Sequence, residues 1–484
     1  MNPKITPSIW KILAWVLVLS TLSFAQEAPP TPKIATSSPA DLDVPLPAPK
    51  ASYNVRDFGA TGDGKTKDTV AFQKALDTCA VNGGGQVVVP AGNYLIGSIQ
   101  LGNQTILRLE QNSQLTGSPD LDDYPIIDIR WEGRLEKGHR SLIYAYNVEN
   151  IGVVGPGAIL GDRGPAASNT EPRGSEMIEP IDCHGVRLEG YGINQPGNNW
   201  NTHPTYCTDV MIKNVNLASG RDGIDVDSCK NVLITGCDIN TGDDSISIKS
   251  GRGMDGARLG IPTENVLITH CTLVDRTFAC LGIGSEISGG VRNLRIEHCK
   301  LTSPRSAVIY LKTRIGRAGV NENISGDDLD ILSGDFLRIN LTRGGNSNTA
   351  DDPVDGLIGY PTGRNLSFSN IRVACNTLVQ ANEISAKRPL EGLHLSNITG
   401  TCAKGISIAN ANGVELKDIK VTGFDGPLLS IANVTGTGLD GAVTVDPPID
   451  PPPGNARGGR GGFGGPGGPG FPPAGGAPGG PPAQ

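Results

Sequence analysis

Apolar and polar positions alternate along the middle of this chain in short runs that keep returning. Each run opens on a small polar residue or glycine, carries apolar residues at alternate positions, and closes on a further apolar or cysteine position. The copies are GVRLEGYGI (185–193), DVMIKNVNL (209–217), NVLITGCDI (231–239), NVLITHCTL (265–273) and NLRIEHCKL (293–301). Later copies are NLSFSNIRV (365–373), GLHLSNITG (392–400) and GVELKDIKV (413–421). Successive starts step by 24, 22, 34 and 28 in the first group and by 27 and 21 in the second. A period of two marks strands. Strands recurring at roughly this interval, with Gly, Asn and Asp between and no long helical pattern, predict an all-β parallel solenoid whose coils stack about 4.8 Å apart. The steps of 34 and 28 place longer loops on two coils, and such loops gather on a solenoid's binding face.

The solenoid pattern occupies residues 51–445. An amphipathic segment, DTVAFQKALDTCA (68–80), with Val70, Leu76 and Cys79 among its apolar positions, predicts a helix capping the N-terminal coil. Residues 1–25 read as a signal peptide: Lys4 and Lys11 precede the apolar stretch Ile12 to Phe24, and Ser23 and Ala25 fit a cleavage site. That stretch is shorter than the roughly 18–20 residues of a spanning helix, so the mature protein is expected to be secreted or periplasmic and off the membrane. Residues 26–50, rich in Pro, Ala and Ser, read as a solvated linker. Residues 446–484 are nearly all Gly and Pro without a collagen period, which predicts a disordered tail.

Composition narrows the chemistry. The 484 residues include 66 glycines and 36 prolines, too many for a helical bundle. A net charge of −8 disfavours nucleic acid as a partner. Cys237, Cys271 and Cys299 share one repeat slot and should stack as buried thiols. The other seven cysteines lack CxxC spacing, so zinc is not expected there, and the sequence pairs none of them as disulfides. GATGDGKT (59–66) matches a phosphate-cradling loop, but no buried strand pattern precedes it, and a glycine turn into the capping helix is the better reading.

The candidate chemistry lies in SGRDGIDVDSCKNVLITGCDINTGDDSISIKS (219–250). Asp243 follows Asp222 by about one coil, which places the two on neighbouring rungs. Asp222 and Asp244 have opposite parity across one such coil and need local turns to converge. Three carboxylates this close repel one another, and one keeps its proton near neutral pH. Glycoside hydrolysis needs such a protonated carboxyl beside an ionised one. Asp residues at coil corners and a calcium site are the alternatives that the residues leave open.

At these residues the chain resembles glycoside hydrolase family 28, the polygalacturonase group. The likeness covers roughly 51–430 and includes YNVRDFGATGDGKTKDTVAFQKAL, VVVPAGNY, NWNTHPTYC (199–207), GRDGIDVDSCKNVLI, TGDDSISIKSG, IGSEISGGVRN (283–293) and LKTRIGR (311–317). The family's G-D-D motif is intact at Gly242, Asp243 and Asp244, while only the Asp of N-T-D persists, as Asp222. The resemblance implies a right-handed parallel β-helix and inverting, metal-independent hydrolysis of an acidic plant polysaccharide or oligosaccharide, with no cofactor and a monomeric enzyme. It casts Asp243 as general acid and has Asp222 and Asp244 activate water.

Two family motifs are altered. Thr277, Phe278 and Ala279 stand where the family has G-H-G, and Tyr310, Leu311 and Lys312 where it has the substrate-reading R-I-K. Tyr can stack on a sugar but cannot supply the guanidinium fork that suits a carboxylate. The change points to a non-standard pectic substrate, such as a rhamnogalacturonan-type backbone, a decorated galacturonan or an oligosaccharide. Lys312, Tyr310, His203 and Lys249 are the candidate substrate-binding residues. Trp200 fits either a sugar or the underside of a loop, Arg252, Arg314 and Arg317 are positive charges nearby, and His270 and His298 share a structural repeat slot. A carbohydrate-binding solenoid without activity and a calcium-dependent pectate-lyase-like enzyme are the rival readings.

Overall fold

The computed structural model describes residues 42–45, 51–161, 172–174, 176–345 and 352–451, all within one compact unit, Ser38–Gln484. The expected signal peptide, most of the 26–50 segment and residues 452–484 of the tail lie outside the described residues. The chain winds as a right-handed parallel β-helix with three strand faces. The first face stacks Glu149–Val154, His184–Glu189, Thr208–Lys213, Lys230–Thr235 and Thr263–Thr269. The second stacks Gly192–Gln195, Asn216–Ser219, Asp238–Thr241 and Thr272–Asp275. The third includes Ile224–Asp227, Ile246–Lys249 and Ala279–Gly284. Later coils, from Val291–Lys312 onward, run as continuous strands around the corners.

The alternation seen in the sequence sorts the side chains. Val186, Val210, Val232, Val266, Leu294, Ile324, Leu366 and Leu393 are successive register partners and buried. Each such burial contributes about 1.5–3 kcal/mol. The polar residue opening each repeat has its own function. Asp209, Asn231, Asn265, Asn293, Asn323 and Asn365 all turn the corner at positive φ, and each Asn side-chain amide donates to the carboxamide or carboxylate one coil back, at 2.6–3.1 Å. Asn suits both tasks: it tolerates the left-handed region and supplies a donor and an acceptor.

All ten cysteines are free and buried. Cys237, Cys271 and Cys299 stack as expected, with the Cys271 amide 3.4 Å from the Cys299 Sγ. A second ladder, Cys183, Cys207 and Cys229, keeps step with the strands of the first face, with the Cys207 amide 3.3 Å from the Cys229 Sγ. His270 and His298 also stack, ring centroids 5.1 Å apart.

Three details depart from the sequence reading. The capping helix, Thr69–Val81, buries Ala71, Phe72, Ala75, Leu76 and Cys79, and Val70 faces solvent because Ala71 and Phe72 hold the inner face. Leu42 and Val44 pack on Met211, Leu233 and Leu267, an outward apolar column of the first face, so this part of 26–50 is docked and not free in solvent. At the other end Asp450 accepts from the Ser385 hydroxyl at 2.6 Å, which ties the first tail residues to the coils. In the 59–66 loop, Asp63 accepts from the amides of Lys65 and Thr66, and Asp68 from those of Thr61 and Gly62. Carboxylates thus fill the amide cradle that a phosphate would need.

The Asn ladder has a measurable worth. Asn265→Ala should lower unfolding free energy by about 2 kcal/mol, from the lost hydrogen bonds and the left-handed backbone. Asn265→Gly, which keeps the backbone freedom, should cost less than Asn265→Ala in the same urea or thermal melt.

Candidate functional site: a carboxylate trio on adjacent rungs

Ile224 pairs with Ile246, which fixes the local coil step. Asp222 is therefore the register mate of Asp244, and the Gly223 amide donates to the Asp244 carbonyl across the rungs. Asp243 is the residue out of register, brought in by the tight turn at Gly242. A Cβ on Gly242 would stand 2.0 Å from the Gly220 carbonyl oxygen, so the close stacking of these two turns needs glycine. The Asp243 Oδ1 accepts from the Asp244 amide at 3.0 Å, which aims its carboxyl back at the pair. The three carboxyl groups each offer an oxygen within 4.8 Å of the others. Sequence spacing alone pairs Asp222 with Asp243; the measured register reverses which of the two later acids needs the turn.

The three acids have different surroundings. Asp244 is buried, and its Oδ2 accepts from Lys312 Nζ at 2.6 Å and Ser247 Oγ at 2.9 Å. Asp222 is buried 3.6 Å from Lys249 Nζ. Asp243 has no lysine beside it; its side chain is 24% exposed, with Arg221 4.0 Å away. Burial, then the charges of Asp222 and Asp244, hold Asp243 well above the ordinary carboxylate range. Burial also raises Asp244, against the pull of Lys312. On Lys312 burial works against the charge, and Asp244 and Asp243 outweigh it, so the ammonium persists above its ordinary range. Lys249 is raised in the same way by Asp225 and Asp222. Gly282 leaves room for this packing: a Cβ there would meet Asp244 Oδ2 at 2.3 Å.

The other sequence candidates fall in two groups. Tyr310 and Lys312 lie beside the trio, Lys312 itself buried against Asp244. Tyr310 is half-buried, its ring 5.7 Å from Lys312 Nζ, and Phe278 is exposed with its ring 5.5 Å from the same ammonium. Lys249 and His203 are enclosed. Lys249 pairs with Asp225 at 2.8 Å and sits 3.4 Å over the Trp200 ring. His203 contacts Glu176 and Thr205 and meets Trp200 edge-on. Trp200 is buried under Trp131, centroids 4.0 Å apart. Arg252 and Arg317 are committed to Glu132 and Glu286, and Arg314 to the carbonyls of Gly344 and Gly345.

What closes over these residues was not visible in the sequence. A hairpin, Ile126–Trp131 and Arg134–His139, reaches the coils that carry the trio. Arg130 pairs with Asp227 at 2.8 Å, and Glu132 with Arg252 at 3.1 Å. Its turn residue Gly133 is so close to Arg252 that a Cβ would lie 2.8 Å from the Arg252 amide nitrogen. On the C-terminal side the column continues as Ser247, Gly282, Tyr310, Arg338 and Gln380. Arg338 thus follows Tyr310 on the next rung, its guanidinium 5.3 Å from the Tyr310 ring and paired with Asp335. The repeat of VIYLK (308–312) as FLRIN (336–340) was the available signal for it.

The trio does not fit a calcium ion. Lys312 already bonds Asp244 and Lys249 stands close to Asp222, so a cation would meet two ammonium groups at the positions where it needs oxygen. The arrangement instead suits proton transfer: one partly exposed carboxyl whose surroundings favour its protonated form, beside two acids held near cations.

The chain is 29% identical to a probable polygalacturonase from Vitis vinifera over 381 residues, 74% of each chain. Its fold matches a hyperthermoactive exopolygalacturonase from Thermotoga maritima at a TM-score of 0.62 and 26% identity, covering 82% of this chain and 92% of the other. It also matches a family 28 exopolygalacturonase from Yersinia enterocolitica at a TM-score of 0.66 and 19% identity, over 83% and 79%. Polygalacturonases are thus its homologues over most of its length. Residues 52–301 match the model of rhamnogalacturonase A/epimerase, pectate lyase-like proteins, and the chain belongs to that family.

Proposed function

We propose that this protein is an exported glycoside hydrolase that removes units from the end of a pectic, galacturonan-related chain. Asp243 acts as general acid on the leaving oxygen, while Asp222 and Asp244 activate water. The observation that carries this reading is the asymmetry of the trio: Asp243 alone lacks a lysine and reaches solvent. The oxygens lie closer than the ~6.5–9.5 Å of a pair that brackets a water. Inversion accordingly rests on the likeness to polygalacturonases and not on this spacing, with Asp222 and Asp244 holding the attacking water. The hairpin covers the coils beside the trio, with Glu132 held by Arg221 and Arg252, and such a cover supports action from a chain end. Phe278 and Tyr310 supply sugar-stacking surfaces, and Lys312 and Arg338 supply positive charge for a uronate. A divalent-cation lyase is disfavoured by the two lysines. Export rests on the N-terminal segment, and the mature secreted chain should begin at Gln26.

Product analysis on polygalacturonate, rhamnogalacturonan, substituted galacturonans and their oligosaccharides tests the reading. The expected product is a small sugar from the first minutes, with inverted anomeric configuration by NMR; a ladder of long fragments would contradict end-on action. Absence of release from every pectic substrate by folded protein would overturn the hydrolase itself. Asp243→Asn should lower kcat by about 10²–10⁴-fold. Arg338→Gln should raise KM for uronate substrates about 10–100-fold with kcat little changed, as loss of a charge-assisted hydrogen bond predicts.

The pH profile has a definite sign. Activity needs protonated Asp243 and ionised Asp244, so the rate falls as pH rises through the raised Asp243 pKa. Lys312 favours the charged form of Asp244, and Lys312→Met should therefore push that pKa further up and move the acidic limb of kcat to higher pH. An unmoved acidic limb would remove Lys312 from this role.

A further inference from the structure

Behind Trp200, apart from the trio, lies a second cluster of donors that the proposed reaction does not use. Glu176, Glu179 and His203 are at most 3% exposed, and each offers one ligand atom within 4.8 Å of the others. His203 occupies the rung between Glu179 and Asp225, because Ile178, Thr202 and Ile224 bridge in series. His203 Nδ1 lies 3.2 Å from both oxygens of Glu176. Donors around a tetrahedral ion at ~2.0–2.1 Å stand about 3.3 Å apart, so this pair already has the required spacing. The Nε2 lies 3.2 Å from Thr205 Oγ1, an acceptor that would hold the Nε2–H and direct the Nδ1 lone pair at the cluster.

The charge balance points the same way. Arg130 is bonded to Asp227 and Lys249 to Asp225, and His203 Nε2 also stands 4.0 Å from Asp227 Oδ2, so the two glutamates share one imidazole that a third carboxylate faces as well. Glu179 Oε1 is enclosed and has no hydrogen-bond partner among the described residues. A buried carboxylate without a counter-charge is costly, and a divalent ion removes that cost. The edge of Trp200 against His203 closes a dry wall on one side.

We propose that Glu176, Glu179 and His203 bind a divalent transition-metal ion, Zn²⁺ or Mn²⁺ by the character of one nitrogen and two carboxylate donors, and that this ion fastens the coils under the hairpin. Calcium is disfavoured by the imidazole. The ion takes the neutral imidazole and two ionised carboxylates, so binding releases protons to solvent, and the enclosed position means that loading accompanies folding. The ion is structural; the acid trio stays outside its reach in the proposed reaction.

The test uses tag-free full-length protein, produced in medium supplemented with Zn²⁺, Mn²⁺ or Ca²⁺, with metal content measured by plasma mass spectrometry. The wild type should carry about one equivalent of Zn²⁺ or Mn²⁺ and no calcium. Glu179→Gln and His203→Gln should lose it, Thr205→Val should bind about 10–100-fold more weakly, and Asp243→Asn should keep it. Should the Glu179 and His203 variants not fold, cobalt-loaded wild type decides: d–d absorption in the visible with nitrogen and oxygen donors supports the site. A wild type free of stoichiometric metal overturns the proposal, with Glu179 then simply protonated. So does metal that survives both substitutions, or metal lost in Asp243→Asn, which would place it at the trio.

Discussion

Parallel backbone pairing between coils is the constraint on which everything else in this molecule depends. Once Ile224 pairs with Ile246, the position of every side chain on the next rung is set, and Asp222 and Asp244 are stacked at the spacing of neighbouring strands. The interior aliphatic column enforces that register, because a one-residue slip would turn each Val and Ile outward. The Asn ladder at the corner enforces it again from the outside, through hydrogen bonds that only register partners can make. The site is therefore built on rigid elements, and its acids need no loop to bring two of them together.

That rigidity sets up the electrostatics. Stacked carboxylates in a buried wall repel one another, and the fold offsets this with lysines from rungs of the same face: Lys249 from the Asp244 coil and Lys312 two coils further on. The turn at Gly242 then delivers a third acid that no lysine contacts, with Lys312 acting on it only at longer range. Burial, the neighbouring carboxylates and this unequal distribution of cations together raise the affinity of Asp243 for its proton. The hairpin adds a cover beside the trio, since Arg130, Trp131 and Glu132 hold Asp227, Trp200 and Arg252, while Tyr310 and Arg338 stand on the rungs beyond Gly282.

The period-two runs and their spacing made the solenoid legible, because each coil is a local pattern repeated. The G-D-D turn made two of the three acids legible for the same reason. The cysteine ladder at Cys183, Cys207 and Cys229 was also open to view, since its intervals are those of the strands beside it. The hairpin was not, because Arg130 and its partner Asp227 are 97 residues apart and nothing local in either segment signals the contact. Lys249 and His203 are covered by Trp200, on which Trp131 of that hairpin stacks, a layer that the sequence alone did not signal. Val70 misled for a smaller reason: a helix with Ala71, Phe72, Ala75 and Leu76 on one side has no room for it there.

The central claim is that coil register unites three carboxyl groups and leaves Asp243 holding the proton. Carbon-13 NMR titration of aspartate carboxyl groups in wild type and Asp243→Asn tests it most directly. The account predicts a carboxyl resonance in the wild type that titrates well above the ordinary aspartate range of about 3.5 and is missing from the variant. A variant spectrum that loses only a resonance titrating in the ordinary range would contradict it.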